Sequence, residues 1–343
     1  MTSAHKWSRR AAIGAAIAAL ALFGGGWTFE HLAELDDRRF KPPGELVDIG
    51  GRKLHLSCTG SGSPTVVLEP GGGEFSLLIA PLQRRIATFT HVCSYDRAGY
   101  AWSDPAPPGR TFDQRAADLD RLLASAQVEG PYVLVGASYG GFLVRSFARQ
   151  EPPKVAGMVL VDAAEENIVY NHLPLFKHAV VTQRVAQLLA EFGLMRPAVA
   201  QLARQAREAG QIPPDARPED VAAAIAFDAR PSAFRTDIDE FSAYESTPAS
   251  ERRPGGFGAL GNRPLVVIRH GKPLSGLNAA LAELEPGWAE AQARLAALST
   301  DSRTVVAAQN GHDIARENPV LVADAVHCVV KAVRTRTTLA GQP

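Results

Sequence analysis

Residues 131–148, PYVLVGASYGGFLVRSFA, place one serine at the corner between a strand and a helix. Residues 132–135 are apolar, as in a buried strand, and an amphipathic helical pattern starts directly after Ser138. A corner this sharp forces its central residue into a strained backbone conformation. The neighbours two positions away must be small because the strand and helix backbones nearly touch. Gly136 and Gly140 meet that need, so the stretch fits the G-x-S-x-G nucleophile elbow.

The length and charge of the chain limit what kind of protein it can be. At 343 residues it can form one large α/β domain with an insertion, or two domains. Lys plus Arg and Asp plus Glu each number 36, and no basic stripe of the kind that binds nucleic acid stands out. The sequence also lacks CxxC pairs and the HExxH motif. It therefore predicts neither a nucleic-acid partner nor a metal, and it leaves the oligomeric state open.

The first 29 residues have the pattern of a membrane anchor or an export signal. The basic stretch at residues 5–10, HKWSRR, precedes an uncharged apolar run over residues 11–29, which is about long enough to cross a bilayer as a helix. We predict an uncleaved signal anchor with Trp27 and Phe29 at the membrane interface and the rest of the chain outside the cytoplasm. One alternative is a cleaved signal peptide, with a small-x-small site at residues 19–21, which gives a secreted or periplasmic protein. The other is a buried helix of a soluble protein.

Strand and helix patterns alternate along most of the remaining chain. After a linker at residues 30–44, a hairpin and four strand patterns separated by helical patterns fill residues 45–164. A second alternating set fills residues 262–335 and precedes a short tail at residues 336–343. Strands that are apolar throughout and alternate with helices indicate a mostly parallel, doubly wound sheet with both faces covered.

The alternation stops over residues 165–261, which are helical in pattern and interrupted by prolines. An insertion after one strand and before the next lies at the carboxyl ends of the strands, where ligand sites of α/β folds occur. We therefore predict a helical cap inserted between strands 6 and 7. The alternative is a helical decoration with no role in binding.

Four stretches together resemble the α/β-hydrolase superfamily, and specifically its lipase- and esterase-like serine hydrolases: GASYGG, YDRAGYAWSD, VVLEPGGG and NGHDIARENP. The resemblance covers roughly residues 45–335. It implies a serine nucleophile, an acid and a histidine base in that chain order, without a cofactor. It also implies hydrolysis of a carboxylic ester, or a related acyl bond, of a small-molecule or lipid substrate through an acyl-enzyme.

Two alternatives to ester hydrolysis stay open. One is another serine-based reaction of the same fold: thioester, lactone or carbon–carbon bond hydrolysis, or cofactor-free peroxidation. The other is a non-catalytic, membrane-tethered binding protein that keeps only the fold. Serine at the elbow argues against haloalkane dehalogenases and epoxide hydrolases, which use aspartate there.

The candidate base is His312, in the stretch QNGHDI just after the last strand pattern. A serine hydroxyl is a poor nucleophile until a base takes its proton, and the resemblance places this base near the end of the chain. The charged residues of DRAGYAWSD are interpreted instead as holding their own loop together.

Two backbone amides are candidates for the oxyanion hole. One belongs to Tyr139, directly after the nucleophile. The other belongs to the glycine-rich loop at residues 70–73, where relatives usually carry a His-Gly pair and this chain has Pro-Gly-Gly-Gly. The missing histidine matters little because the donor is a main-chain amide. We predict Gly72 for this role, with Gly71 as the second choice.

The acid departs from the family pattern. The loop after the strand RPLVVIRHG reads KPLSGLN, without the carboxylate that usually follows there. Some relatives keep the acid at the end of the preceding strand, and here that strand ends in Asp162. We therefore predict Asp162 as the acid, although an aspartate at this place also helps to hold the loop that leads into the cap. The remaining candidates are Glu165, Glu166, Glu283 and Glu285.

The resemblance also bears on the three cysteines. It implies that the strands carrying Cys58 and Cys93 are neighbours in the sheet, so their side chains can meet. Outside the cytoplasm such a pair oxidises. We predict a Cys58–Cys93 disulfide and a free Cys328 in the last helix.

Overall fold

A computed structural model describes residues 13–14, 23–274 and 281–341. Strands and helices alternate in it as the sequence pattern predicts. The strands are β1 (Glu45–Asp48), β2 (Lys53–Thr59), β3 (Thr65–Glu69), β4 (Val92–Tyr95), β5 (Tyr132–Ala137), β6 (Val155–Val161), β7 (Leu265–His270) and β8 (Ser302–Ala307).

The helices begin with α1, formed by residues 23–36. The others are α2 (Ala80–Ile86), α3 (Phe112–Ser125), α4 (Gly140–Gln150), α5 (Glu166–Asn171), α6 (Leu173–Ala190), α7 (Met195–Glu208), α8 (Pro218–Asp228), α9 (Pro231–Ser246), α10 (Trp288–Ala296), α11 (Ile314–Glu317) and α12 (Pro319–Thr335).

The strands form one sheet in the order β1-β2-β4-β3-β5-β6-β7-β8. β2 pairs antiparallel with β1 and β4, and all other neighbours pair parallel. The predicted mostly parallel sheet is confirmed. Because β5, β6 and β8 run in one direction, the loops after them meet at one edge of the sheet.

The central strands are mainly apolar because helices cover both faces of the sheet. Successive side chains of a strand point to opposite faces. Val66 and Val133 lie in the cluster that includes α2 and α12. Their neighbours Val67 and Leu134 lie in the cluster that includes α3 and α4. This two-sided burial makes the sheet a rigid support for the loops at its edge.

The predicted cap is present as five helices, α5 to α9, between β6 and β7. Helix α9 joins the cap to the core because its residue Tyr244 packs in one buried aromatic cluster with Phe112, Tyr139 and Phe142. One of these core residues, Tyr139, directly follows the candidate nucleophile. The cap therefore contacts the elbow through packed side chains.

Helix α1 packs against the cap. The Glu30 carboxylate accepts hydrogen bonds from Arg196 Nε and Nη2 at 2.9 and 2.8 Å. The same guanidinium binds the buried Asp37. The segment at residues 30–44, read as a linker from its composition, therefore begins as helix, because its acidic residues bind an arginine of the cap.

The predicted leader at residues 1–29 lies largely outside the described residues, which omit 1–12 and 15–22. Among the residues that are described, no helix combines the length and the apolar character needed to span a membrane. Trp27 and Phe29 are in the described part of α1, with 56% and 54% of their surface exposed.

The predicted disulfide is present between Cys58 and Cys93, which lie directly opposite each other in the antiparallel pair β2–β4. Their Cα atoms are 4.1 Å apart. Cys328 is free and half-buried in α12.

Candidate active site

The nucleophile elbow has the geometry that its glycines predict. Ser138 has φ +47°, in the left-handed region, between the end of β5 and the start of α4. A Cβ atom at Gly136 would lie 2.6 Å from Val144 Cγ2, and one at Gly140 would lie 2.6 Å from the carbonyl oxygen of Glu69. Side chains are therefore excluded at both glycines, and the turn holds the serine above the carboxyl edge of the sheet.

Three predicted residues form a hydrogen-bonded chain at this edge. His312 Nε2 lies 2.9 Å from Ser138 Oγ, and His312 Nδ1 lies 2.7 Å from Asp162 Oδ2. The serine follows β5, the aspartate follows β6 and the histidine follows β8. The parallel sheet thus brings together groups that are far apart in sequence. The imidazole faces a hydroxyl on one side and a carboxylate on the other, as general-base catalysis requires.

Asp162 is held firmly in place. Its φ is +44°, and its amide donates to the carbonyl oxygen of Ile268 on β7. Burial alone would raise the pKa of its carboxyl group, but hydrogen bonds from His270 and His312 outweigh burial and lower the pKa to about 2. The group is therefore an anion at every physiological pH.

The pKa of His312 shifts the other way. Burial alone would lower it, but the hydrogen bond and the negative charge of Asp162 outweigh burial, with smaller contributions from Asp313 and Glu74. The pKa of His312 rises to about 9. Its positively charged form is thus strongly favoured beside Asp162.

The other acid candidates lie in different surroundings. Glu165 binds Arg294 through two hydrogen bonds of 2.8 Å and caps α5. Glu166 is buried against Arg145 at 3.0 Å. Glu283 is exposed. Glu285 contacts a different histidine, His270, at 3.2 Å. Asp162 alone among the five has a contact with His312 in the described chain.

His270 is a residue of this site that the sequence reasoning did not consider. It ends β7, and its Nδ1 atom lies 2.7 Å from Asp162 Oδ2. Its backbone amide donates to Asp162 Oδ1 at 3.0 Å, and Trp288 Nε1 donates to the same oxygen at 2.8 Å. A histidine at the end of the strand whose loop lacks the usual acid was the available signal.

The amides of Tyr139 and Gly72 belong to the two segments next to Ser138. Within the described residues, neither the Tyr139 amide nor the Gly72 amide has a hydrogen-bond acceptor. The amide of Gly71 donates to Glu74 Oε2 at 2.8 Å and is therefore occupied. A Cβ atom at Gly72 would lie 3.3 Å from Tyr139 Cβ, so the two free amides belong to adjoining segments.

The buried residue Arg97 sets the direction of the Gly72 amide. Its guanidinium donates to the carbonyl oxygens of Pro70 at 2.9 Å and Gly71 at 2.6 Å. In a trans peptide the carbonyl of one residue and the amide of the next point in opposite directions. Because the Gly71 carbonyl points into the core toward Arg97, the Gly72 N–H points away from it. The sequence predicts that the charges of DRAGYAWSD hold their own loop together, whereas the side-chain hydrogen bonds of Arg97 go to other segments and brace the glycine loop.

Arg97 also connects this loop to the cap. Its Nη1 atom donates to Glu69 Oε1 at 2.7 Å, and its Nε atom donates to Glu240 Oε1, on α9, at 2.5 Å. All three side chains are almost fully buried. Removing one member of such a network leaves the others unpaired in a medium of low polarity, which is costly. The glycine loop, the core and α9 are therefore held as one unit.

Two adjoining cavities lie in this region, and the first of them reaches the candidate nucleophile. One of about 250 Å³ is lined by Ser138 and His312. The other, of about 350 Å³, lies under α7 and α8 and shares Leu78, Asp228 and Arg316 with the first. Its other walls are mainly apolar and include Leu77, Pro81, Met195, Val199, Val221 and Ile225.

The junction of the cavities is polar. Burial, followed by repulsion from Asp237, raises the pKa of Asp228 to about 7. Arg316 lies at the same junction, 3.7 Å from Glu74. The cavity therefore changes from polar near the serine to apolar beneath the cap.

Within the part of the chain that the structure describes, two groups of side chains have ligand atoms close enough to hold a metal. In one, Cys58 and Cys93 are joined in the disulfide and are not available as thiolates. In the other, Asp162, His270 and His312 bring their atoms within 4.8 Å. Both imidazole Nδ1 atoms face the same carboxylate oxygen, which is the arrangement of a hydrogen-bond network.

The fold and this site define a class of protein. A family model described as "Alpha/beta hydrolase family" matches residues 66–325, which is most of the chain. The chain therefore belongs to the alpha/beta hydrolase family.

Individual curated relatives match parts of the chain. The chain is 37% identical over 105 residues to the uncharacterized protein YqjL of Bacillus subtilis, which covers 31% of this chain and 42% of that protein. It spans less than half the length of the curated relatives that it matches.

Solved structures share the fold. A thermophilic esterase from Thermogutta terrifontis matches with TM-score 0.59 and 18% identity, over 84% of this chain and 97% of that chain. An enol-lactonase from Burkholderia xenovorans matches with TM-score 0.58 and 15% identity, over 84% of this chain and 100% of that chain. At these identities the likeness extends to the fold alone.

Proposed function

We propose that this alpha/beta hydrolase cleaves carboxylic esters through an acyl-enzyme on Ser138. The observation that carries the proposal is the hydrogen-bonded chain from Ser138 through His312 to Asp162, with distances of 2.9 and 2.7 Å. A serine that is hydrogen-bonded to an oriented base is the arrangement that activates a hydroxyl. No cofactor enters the proposal.

The proposed reaction has two halves. Ser138 Oγ attacks the ester carbonyl carbon while His312 Nε2 takes the hydroxyl proton. The amides of Tyr139 and Gly72 donate to the negatively charged oxygen that forms. The carbon–oxygen bond to the alcohol then breaks, and His312 returns the proton to the leaving alcohol. In the second half a water molecule gives a proton to His312 as its oxygen attacks the acyl carbon. The bond from that carbon to Ser138 Oγ then breaks, and His312 returns the proton to Ser138 Oγ, which releases the acid and restores the serine.

In this proposal Asp162 keeps its negative charge throughout. It fixes the tautomer of His312 and stabilises the imidazolium that forms in each half-reaction. The low pKa of Asp162, about 2, supports this role because the group does not compete for the proton.

The cavities support a substrate with an apolar portion. The space beneath α7 and α8 is mainly apolar and adjoins the cavity in front of Ser138. Esters with an apolar acyl or alcohol group, including lipid esters, are therefore the substrate class that we propose.

A panel of 4-nitrophenyl esters of increasing acyl length tests this function. We expect the wild type to hydrolyse them, and Ser138→Ala to lose at least about 10³-fold in kcat. Lactones and thioesters in the same panel test the alternative reactions, since faster turnover of one of these would replace the ester assignment. A folded wild type that turns over no member of the panel would support the non-catalytic binding protein instead.

We further propose that the chain is tethered to a membrane, with the catalytic domain on the extracytoplasmic side. Support comes from the apolar residues 11–29 that follow the basic residues 5–10. The Cys58–Cys93 disulfide agrees with an oxidising compartment. We expect the full chain to stay in the membrane fraction after alkaline extraction with an intact N-terminus. Release of a shortened chain would favour the cleaved signal peptide.

A further inference from the structure

Asp162 is shared by two imidazoles. His312 Nδ1 and His270 Nδ1 each lie 2.7 Å from the same oxygen, Asp162 Oδ2. Only His312 continues to Ser138 within the described structure. His270 instead continues away from the nucleophile to Glu285, with Nε2 3.2 Å from Glu285 Oε2. The proposed triad is thus one end of a longer chain of hydrogen bonds.

The contacts of His270 indicate its protonation state. A neutral imidazole has one N–H group, whereas an imidazolium has two. Both ring nitrogens of His270 face carboxylates, Asp162 on one side and Glu285 on the other. Only the imidazolium donates to both. Burial alone would lower the pKa of His270, but the hydrogen bond and charge of Asp162, with a contribution from Glu285, outweigh burial and raise it.

The charged groups around the pair come from several elements. The end of β6 supplies Asp162, and the segment before α10 supplies Glu285. Helix α10 supplies the uncharged Trp288 ring, whose centroid lies 5.7 Å from that of His270. On the far side of Asp162, His312 also experiences the negative charges of Asp313 and Glu74.

We propose that His270 is a positioning residue that acts on His312 through Asp162. Its imidazolium and its backbone amide hold the carboxylate in the orientation that faces His312. Its positive charge offsets part of the negative charge that Asp162 presents to His312. Since that negative charge is what favours the protonated base, His312 gives up its proton at a lower pH than it would beside Asp162 alone.

His270→Asn tests the electrostatic part of the proposal. The Asn side chain can keep an N–H donor near the position of Nδ1 while removing the positive charge. We expect the pKa of His312, measured by NMR titration of its ring, to rise by about one unit. This is at the low end of the shift that a charge close to a titrating group causes. His270→Leu removes both the donor and the charge. We therefore expect a similar rise in the pKa of His312 and a larger loss of kcat than in His270→Asn. His178→Asn, a change at an exposed histidine of α6, is the matched control.

The pH dependence of kcat/KM gives a second measurement, which rests on the proposed function. We expect its acidic limb to move to higher pH in His270→Asn and to stay in place in His178→Asn. An unchanged or lowered pKa of His312 in folded His270→Asn would overturn the proposal, because His270 would then only fill space. The NMR result does not depend on turnover. A wild type without esterase activity would therefore overturn the proposed function and leave the test of His270 intact.

Discussion

The carboxylate of Asp162 lies 2.7 Å from His312 Nδ1, although the two residues are 150 positions apart. The aspartate follows β6. The resemblance to serine hydrolases places the acid one strand later, in the loop after β7, and here β7 ends in His270. Because β6 and β7 are parallel neighbours, a carboxylate at the end of either strand can reach the same imidazole. The acid can therefore be carried by either strand while the base keeps its place in the fold.

Replacing Asp162 with Asn tests its role. The amide cannot stabilise the His312 imidazolium, and it favours the wrong tautomer of the base. We expect kcat to fall by about 10⁴-fold. Steady-state kinetics measures the loss, and circular dichroism checks the fold. Glu283→Gln, at an exposed candidate acid, is the control and should keep the wild-type rate. A near-normal rate in Asp162→Asn would assign the role to another carboxylate.

The change Arg97→Lys tests the bracing of the glycine loop. Lysine carries a charge but lacks the planar set of donors that binds the Pro70 and Gly71 carbonyls together with Glu240. We expect a tenfold to 10³-fold drop in kcat with a smaller change in KM, because the oxyanion donor at Gly72 loses its fixed direction. Arg121→Lys, with 57% of the side chain exposed, is the control. An unchanged kcat in folded Arg97→Lys would separate the loop from catalysis.

The disulfide should contribute to stability. It closes a 35-residue separation between β2 and β4, which restricts the unfolded chain. We expect Cys58→Ser with Cys93→Ser to lower the free energy of unfolding by about 2–4 kcal/mol, measured by urea denaturation of the oxidised protein. Cys328→Ser should change it far less, because that thiol is free. Equal stability of the double variant and the wild type would contradict the prediction.

The rate should rise as the pH rises through the pKa of His312. The base accepts a proton only in its neutral form, and Asp162 raises the pKa of His312 to about 9. We therefore expect kcat/KM to increase with pH across the neutral range, to reach half of its maximum near pH 9 and to level off above it. A profile that is already flat at pH 6 would mean that His312 is neutral there, contrary to its contacts.

The parts of this account that the sequence predicts best are local. The glycines around Ser138 and the strand before it are adjacent in sequence, so the elbow can be predicted from this short stretch. His312 follows from its place after the last strand pattern. The alternation of strands and helices predicts the sheet because each strand and each helix shows its own pattern of apolar residues over a short stretch of sequence.

The parts that the sequence predicts poorly depend on distant pairs. His270 matters because β7 pairs with β6 and Glu285 folds back against it, neither of which is visible in the residues around His270. The composition of residues 30–36 is that of a linker. The contact that holds this segment comes from Arg196, which lies 166 positions from Glu30 in the sequence. The link between Arg97 and Glu240 likewise joins the core to the cap across 143 positions. Local patterns carry no information on such pairs.

The most direct test of the central claim is labelling with a fluorophosphonate, which reacts covalently with an activated serine. We expect one probe molecule per wild-type chain by intact mass, and peptide mapping should place it on Ser138. Ser138→Ala should not be labelled, and His312→Gln should react at least about 10²-fold more slowly because the base is missing. A folded wild type that takes up no probe, or takes it up at another residue, would contradict the claim that Ser138 is the nucleophile.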